Sequence, residues 1–184
     1  MIDLITLKNA KDLIKDVIVH PLKVNQDESG ILTEVLKTDW VDVYGDALPF
    51  SQCYYSVTPS REIRDTEVWH VHPTKQVDRF ICVRGDIVTA IYDNRPDSET
   101  NGRLNLFLMG ESGGNDTQYL VLIPQNTLHG FAVVSQKEAV LLNFPTTLYD
   151  PDEEGRVSHK VALAKFNDGS EFNWDKVIAE VNLK

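Results

Sequence analysis

Two runs, Val77-Asp78-Arg79-Phe80-Ile81-Cys82-Val83 and Asp86-Ile87-Val88-Thr89-Ala90-Ile91-Tyr92, flank Arg84-Gly85 and decide the fold class. Both have strand length and are rich in β-branched and aromatic residues, and Asp86-Ile87 after Gly85 reads as a hairpin exit. Working outward, similar runs occupy 31–37, 51–57 and 66–71 on one side, and 104–109, 119–123, 130–134 and 139–144 on the other. Turn clusters at 27–30, 94–102 and 110–117 punctuate them. Short strands with regular turn signals indicate an all-β sandwich or barrel of jelly-roll type. The ends read differently. Leu7, Ala10, Leu13, Ile14, Val17 and Ile18 recur at helical spacing, which predicts a short amphipathic helix over 7–18, and 174–183 (WDKVIAEVNL) predicts a second. With no internal repeat or linker, the expected organisation is one domain over 1–184. It comprises an N-terminal helical segment 1–20, a barrel 21–156 and a C-terminal extension 157–184.

The 184 residues carry 18 Lys+Arg against 28 Asp+Glu, a formal charge of −10, and are 42% hydrophobic. That composition belongs to a globular chain able to bury a core without staples. The acidic balance excludes a nucleic-acid partner, because phosphate backbones require a net basic face. A small anionic ligand is not excluded, since it responds to the local field of a pocket. The first residues interrupt any apolar run with Lys or Asp, and the longest apolar stretches, such as Tyr119 to Pro124, fall far short of a bilayer span. No membrane partner is expected. Cys53 and Cys82 form no CxxC pair and read as free thiols, and the expected location is the cytoplasm.

Of five histidines (His20, His70, His72, His129 and His159), two form His70-Val71-His72 in a β-like segment. With a side-chain period of two, both imidazoles face the same way. Five residues then separate His72 from Asp78, Gly85 follows, and a later Pro124-Gln125-Asn126-Thr127-Leu128-His129 ends in histidine. This order resembles the two motifs of the cupin superfamily, in which histidines and a carboxylate converge inside a β-barrel. The resemblance implies a divalent metal (Zn, Fe, Mn or Ni) at His70, His72, Asp78 and His129. The acid is Asp in place of the usual Glu, and it lies one residue further along. The alternative is that the histidines bind substrate or exchange protons with no cofactor. His20 and His159 lack such context and read as surface residues.

A closer resemblance covers residues 18 to 156. Asp27-Glu28-Ser29-Gly30 with Glu34 resembles the D-x-R-G-x-x-x-E opening of the dTDP-4-dehydrorhamnose 3,5-epimerase family, and Phe50-Ser51-Gln52 with Ser56 its F-x-Q-x-x-x-S strand. Val83-Arg84-Gly85-Asp86-Ile87, followed by Asp93-Asn94-Arg95, Ser98, Thr100 and Gly102, is similar to V-x-G-x-I…D-x-R-x-x-S-x-T-x-G. Ile123-Pro124 with His129-Gly130-Phe131, and Tyr149-Asp150-Pro151 with Glu154, resemble the remaining family segments. The resemblance implies a cupin barrel, a homodimer that exchanges N-terminal strands, and a carbohydrate substrate.

The same comparison marks departures. The family base is a histidine in R-G-L-H, which reads Glu67-Val68-Trp69-His70 here. The family lysine falls at Asp78, its tyrosine near Asn143, and its nucleotide-holding arginine at Ser29. The aspartate that pairs with the base has no equivalent after Gly155. Deprotonation beside a carbonyl needs a base matched to neutral pH and an electropositive group for the enolate. A cation held by Asp78 and its histidines restores the latter. The reading is therefore a divergent carbohydrate epimerase or isomerase acting on a keto-sugar or nucleotide sugar, with His70 and His129 catalytic. His72, Gln52, Trp69, Arg84, Asn143 and Tyr149 are the expected substrate contacts. Trp69, Tyr54, Tyr55 and Tyr92 read equally as pocket or core, Arg84 and Arg95 as phosphate ligands or ion pairs, and 150–154 as a solvated acidic turn. The alternatives are a metal-dependent cupin for another small keto or hydroxy acid, and a non-catalytic sugar-binding cupin.

Overall fold

A computed structural model describes residues 2–181. The two runs about Gly85 form β8 (Asp78–Arg84) and β9 (Asp86–Tyr92), which belong to different sheets. Gly85 has φ +68°, and a Cβ there would lie 2.6 Å from the Glu138 carbonyl, so the corner between sheets requires glycine. The larger, seven-stranded sheet runs β1 (Leu4–Ile5), β10 (Leu104–Gly110), β9, β12 (Leu128–Val133), β7 (Val68–Val71) and β14 (Gly155–Ser158), with β6 (Ile63–Arg64) attached to β12. The facing five-stranded sheet runs β2 (Ile18–Pro21), β11 (Tyr119–Ile123), β8, β13 (Ala139–Asn143) and β5 (Tyr54–Thr58). A separate hairpin pairs β3 (Val24–Asp27) with β4 (Gly30–Thr33).

Alternation along the strands builds three apolar layers. Phe80, Cys82, Ile87, Ile91, Val121, Ile123, Phe131 and Val133 point between the sheets. Their neighbours Val88, Ala90, Leu128 and Ala132 point outward, under Phe172, Trp174, Val177 and Val181 of the C-terminal segment. Ile81, Leu120 and Leu122 point outward from the other sheet, under Leu22, Val43 and Phe144. Covering both faces is why these strands read as nearly continuous apolar runs. This two-sheet jelly roll is the predicted all-β cupin class.

The ends depart from expectation. The helix expected over 7–18 is a single 3-10 turn, Leu7–Asn9, followed by irregular chain and β2. Asp12 and Asp16 adopt φ of 52° and 69°, which no right-handed helix contains, while Ile14 N–H donates to Asn105 Oδ1 at 2.8 Å. The helical spacing of Leu7, Leu13, Ile14 and Val17 arises because all four pack on the inter-sheet core. Helix α1 (His159–Ala162) was not foreseen; α2 (Trp174–Glu180) was, with Asn173 capping it by accepting from Lys176 N at 3.0 Å. Residues 182–183 of that expected helix lie outside the described residues. The run 31–37 is strand only to Thr33, and β1, β2, β3, β6 and β14 are strands whose short or polar sequences gave no alternation to read. Among the described residues no helix is long and apolar enough to cross a membrane.

Candidate active site

At one end of the space between the sheets, polar side chains occupy positions that elsewhere belong to the core. Asp78 shares its strand face with Phe80 and Cys82, and His129 shares its face with Phe131 and Val133. They line a cleft of about 550 Å³. Register sets its walls. His129 lies directly opposite His70 across β12 and β7, and Asn143 lies opposite Tyr54 across β13 and β5. The two histidines therefore belong to one sheet, and Asp78, Asn143 and Tyr54 to the sheet that faces it.

Asp78 organises the floor. Its Oδ2 lies 3.1 Å from His72 Nε2 and 3.3 Å from His129 Nε2. Its Oδ1 accepts from Gln76 Nε2 at 2.8 Å and from Asn143 Nδ2 at 2.9 Å. Each imidazole sets its other nitrogen against a main-chain carbonyl: His72 Nδ1 against Glu153 at 3.1 Å, and His129 Nδ1 against Thr127 at 3.3 Å. Burial alone would raise the Asp78 carboxyl, but its His129 and His72 partners hold it well below the usual carboxylate range. Burial lowers His129. For His72 burial also opposes charge, yet the Asp78 carboxylate prevails and raises it.

The loop carrying His72 is pinned from two sides. Asn126, at φ 57°, donates its N–H to the His72 carbonyl at 2.8 Å. The Glu153 carboxylate accepts from Thr74 Oγ1 and from Lys75 N at 2.9 Å. The acidic run 150–154, expected to be a solvated turn, thus includes a buried anchor.

The residues present suit a divalent metal, but at three of the four expected positions. The donor atoms of His72, Asp78 and His129 lie within 4.8 Å of one another. Two imidazoles and a carboxylate are a borderline-metal set, and a carbonyl on the far nitrogen of each ring is the outer hydrogen bond such ligands use. His70 is not in this group. Its Nε2 hydrogen-bonds Asp65 Oδ2, and its Nδ1 lies 3.6 Å from Glu154 Oε1.

Those two carboxylates are the residues that sequence reasoning missed. The chain has no aspartate at the family position for pairing with the base. Asp65 instead reaches His70 from the turn between β6 and β7, where it adopts φ 59°. Glu154 sits in a segment matched to the family with no role attached to it.

Other expectations separate. Gln52 and Tyr149 line the cleft, with Gln52 Nε2 donating to the Thr147 carbonyl at 3.1 Å and Tyr149 exposed at the rim beside Glu154. Asn143, expected to touch substrate, is instead fully buried behind the lining, where it donates to Tyr54 and Asp78. Trp69 and Arg84 do not line the cleft either. Trp69 is 0% exposed because it alternates with His70, so it faces the opposite layer against Phe172 and Trp174. Arg84 ends β8 at a different hollow beside Glu111 and Lys137, roughly 20 Å from Asp78 at strand rise. Arg95 forms an ion pair with Asp93, 2.8 Å away. His159, expected at the surface, stacks on Trp69 at 4.8 Å, and His20 pairs with Asp42 at 2.7 Å.

A jelly roll with a histidine-lined cleft between its sheets defines the class, and comparison with known proteins narrows it. The family profile described as dTDP-4-dehydrorhamnose 3,5-epimerase matches residues 11–168. A relative from Haloferax volcanii, described as a probable low-salt glycan biosynthesis epimerase, Agl13, is 40% identical over 144 residues, covering 77% of this chain and 86% of that protein. The spore coat polysaccharide biosynthesis protein SpsL of Bacillus subtilis is 29% identical over 164 residues, covering 87% and 99%. The crystal structure of a dTDP sugar isomerase from Desulfovibrio desulfuricans G20 superposes with TM-score 0.72 at 22% identity, covering 92% and 95%, and shows the shared fold. The chain belongs to the dTDP-4-dehydrorhamnose 3,5-epimerase family.

Proposed function

We propose that this protein epimerises a keto-sugar carried on a nucleotide, with His70 removing the proton on the carbon beside the ketone. The observation that carries this reading is the pairing of His70 Nε2 with Asp65 inside the cleft. A carboxylate accepting one ring N–H fixes the tautomer and leaves the other nitrogen basic, as in a catalytic triad. Arg64 and Arg156 line the same cleft and supply cations for a diphosphate. His129 lies between His70 and Asp78, with its ring centroid 6.2 Å from that of His70. His72, Asp78 and His129 would hold a divalent metal, which would supply Lewis-acid polarisation of a carbonyl. Gln76 and Asn143 orient the Asp78 carboxylate for that role.

The protein acts as a homodimer in this reading. The β3–β4 hairpin pairs with neither sheet and leaves Ile31 and Leu32 67% and 63% exposed, which suits exchange with a second copy.

Incubation with dTDP-4-keto-6-deoxyglucose in deuterated water, followed by NMR, tests the activity. The expected result is an epimer at C3 or C5 carrying deuterium. Binding with neither epimer nor deuterium would return the sugar-binding alternative. Elemental analysis of the purified protein is expected to find one divalent metal per chain, which is lost in His72→Ala. Metal-free protein with full activity would remove the metal from the account.

A further inference from the structure

We propose that Tyr54 is the acid that protonates the sugar carbon from the face opposite His70, an assignment that rests on the epimerase reading above. Inversion at a carbon needs a proton donor on the face opposite the base. The strand beside Asn143 supplies a phenol on that side of the cleft. Tyr54 is the direct cross-strand partner of Asn143, and its side chain enters the cleft.

The Asn143 amide has a fixed orientation. Its Oδ1 accepts from Arg79 N–H at 3.0 Å, so its Nδ2 is the donor, to Tyr54 Oη at 2.7 Å and to Asp78 Oδ1 at 2.9 Å. Tyr54 Oη thus acts as an acceptor toward Asn143, and its own proton is left to point into the cleft. Tyr54 projects from the five-stranded sheet and His70 from the seven-stranded one, so the two approach a sugar between the sheets from opposite sides. Burial, followed by the Asp78 charge, pushes the phenol up to about 12, which keeps the proton in place at neutral pH. Tyr54 is nevertheless 46% exposed, so solvent can restore the proton after transfer.

The step balances. His70 takes the proton from the carbon beside the ketone; the C–H electron pair becomes the enolate C=C bond, and the carbonyl π pair moves to oxygen. The enolate collapses, its C=C pair forms a new C–H bond to the Tyr54 phenolic proton on the other face, and the carbonyl re-forms. Tyr54 is left as phenolate and His70 as imidazolium. Solvent protonates the first and deprotonates the second.

Tyr54→Phe separates the two half-reactions. The substitution keeps the ring and leaves Asn143 bonded to Asp78. With dTDP-4-keto-6-deoxyglucose in deuterated water, wild-type protein should give deuterium with inversion. In Tyr54→Phe, epimer formation should fall by roughly 10²-fold or more, while deuterium uptake with retention of configuration falls by less than about tenfold, because His70 still removes and returns the proton on its own face. Inversion at near the wild-type rate in Tyr54→Phe would overturn the assignment, and so would equal loss of exchange and inversion in a variant that keeps the wild-type melting temperature. Absence of exchange in the wild-type protein would instead overturn the epimerase reading itself, and this assignment with it.

Discussion

The Asp65–His70 contact carries the account at the scale of single residues. An imidazole works as a base only when one nitrogen keeps its lone pair, and Asp65 settles which one by accepting from Nε2. Asp65→Asn can present its amide N–H to that nitrogen and select the wrong tautomer. It is expected to cut kcat by roughly 10²- to 10⁴-fold with little change in KM or folding, read from steady-state kinetics. His70 and His129 were legible because their motif spacing and order match the family. Asp65 was not legible: an aspartate five residues before a histidine carries no signal until a turn folds the chain back, with Asp65 itself in a left-handed conformation. Trp69 was misread for a related reason. Its neighbour faces the cleft, so the period of two sends Trp69 to the other layer, and only the position of the C-terminal segment shows that this layer is closed.

At the scale of elements, the turn after β9 shows what a family motif does when it is not catalytic. Asp93 accepts from Arg95 Nε at 2.8 Å, Ser98 Oγ at 2.6 Å and Thr100 Oγ1 at 2.5 Å, so the D-x-R-x-x-S-x-T pattern is the wiring of one loop. Burial opposes the Asp93 charge, but these donors win and hold its carboxyl far below the ordinary range. A group with a depressed folded-state pKa stabilises the protein above its unfolded value, about 3.9, and loses that contribution as pH falls through the folded value. Asp93→Asn should therefore be destabilised at pH 7, by roughly 3 kcal/mol if the buried pair is broken, with the gap to wild type closing as pH drops below about 4. Melting temperature against pH measures it. Strand elements with two covered faces were plain in the sequence as apolar runs. The N-terminal segment was not, because a chain that lays four apolar residues on one core mimics helical spacing without forming a helix.

For the whole molecule, the charge of −10 excluded nucleic acid, and the structure shows where part of it is spent. Asp65, Asp78 and Glu154 all line the cleft, each set against a histidine, while Arg64 and Arg156 stand with them. The keto-sugar diphosphate proposed as substrate would meet acids that are already partnered, together with Arg64 and with Arg156, which is itself paired with Glu154 at 2.7 Å. The proposed homodimer would use the hairpin that pairs with neither sheet. Replacing Ile31 and Leu32 with Asp should convert a dimer to a monomer in light scattering, whereas an unchanged dimer would place the interface elsewhere. The fold was legible throughout at this scale, but the dimer rests on resemblance and on exposed apolar side chains that no periodicity reveals. Removal of the proton beside the sugar ketone is the role proposed for His70. Its most direct measurement is deuterium uptake at C3 or C5 of dTDP-4-keto-6-deoxyglucose, compared between wild type and His70→Asn. The account predicts uptake by wild type and none by the variant; uptake by His70→Asn at the wild-type rate would contradict it.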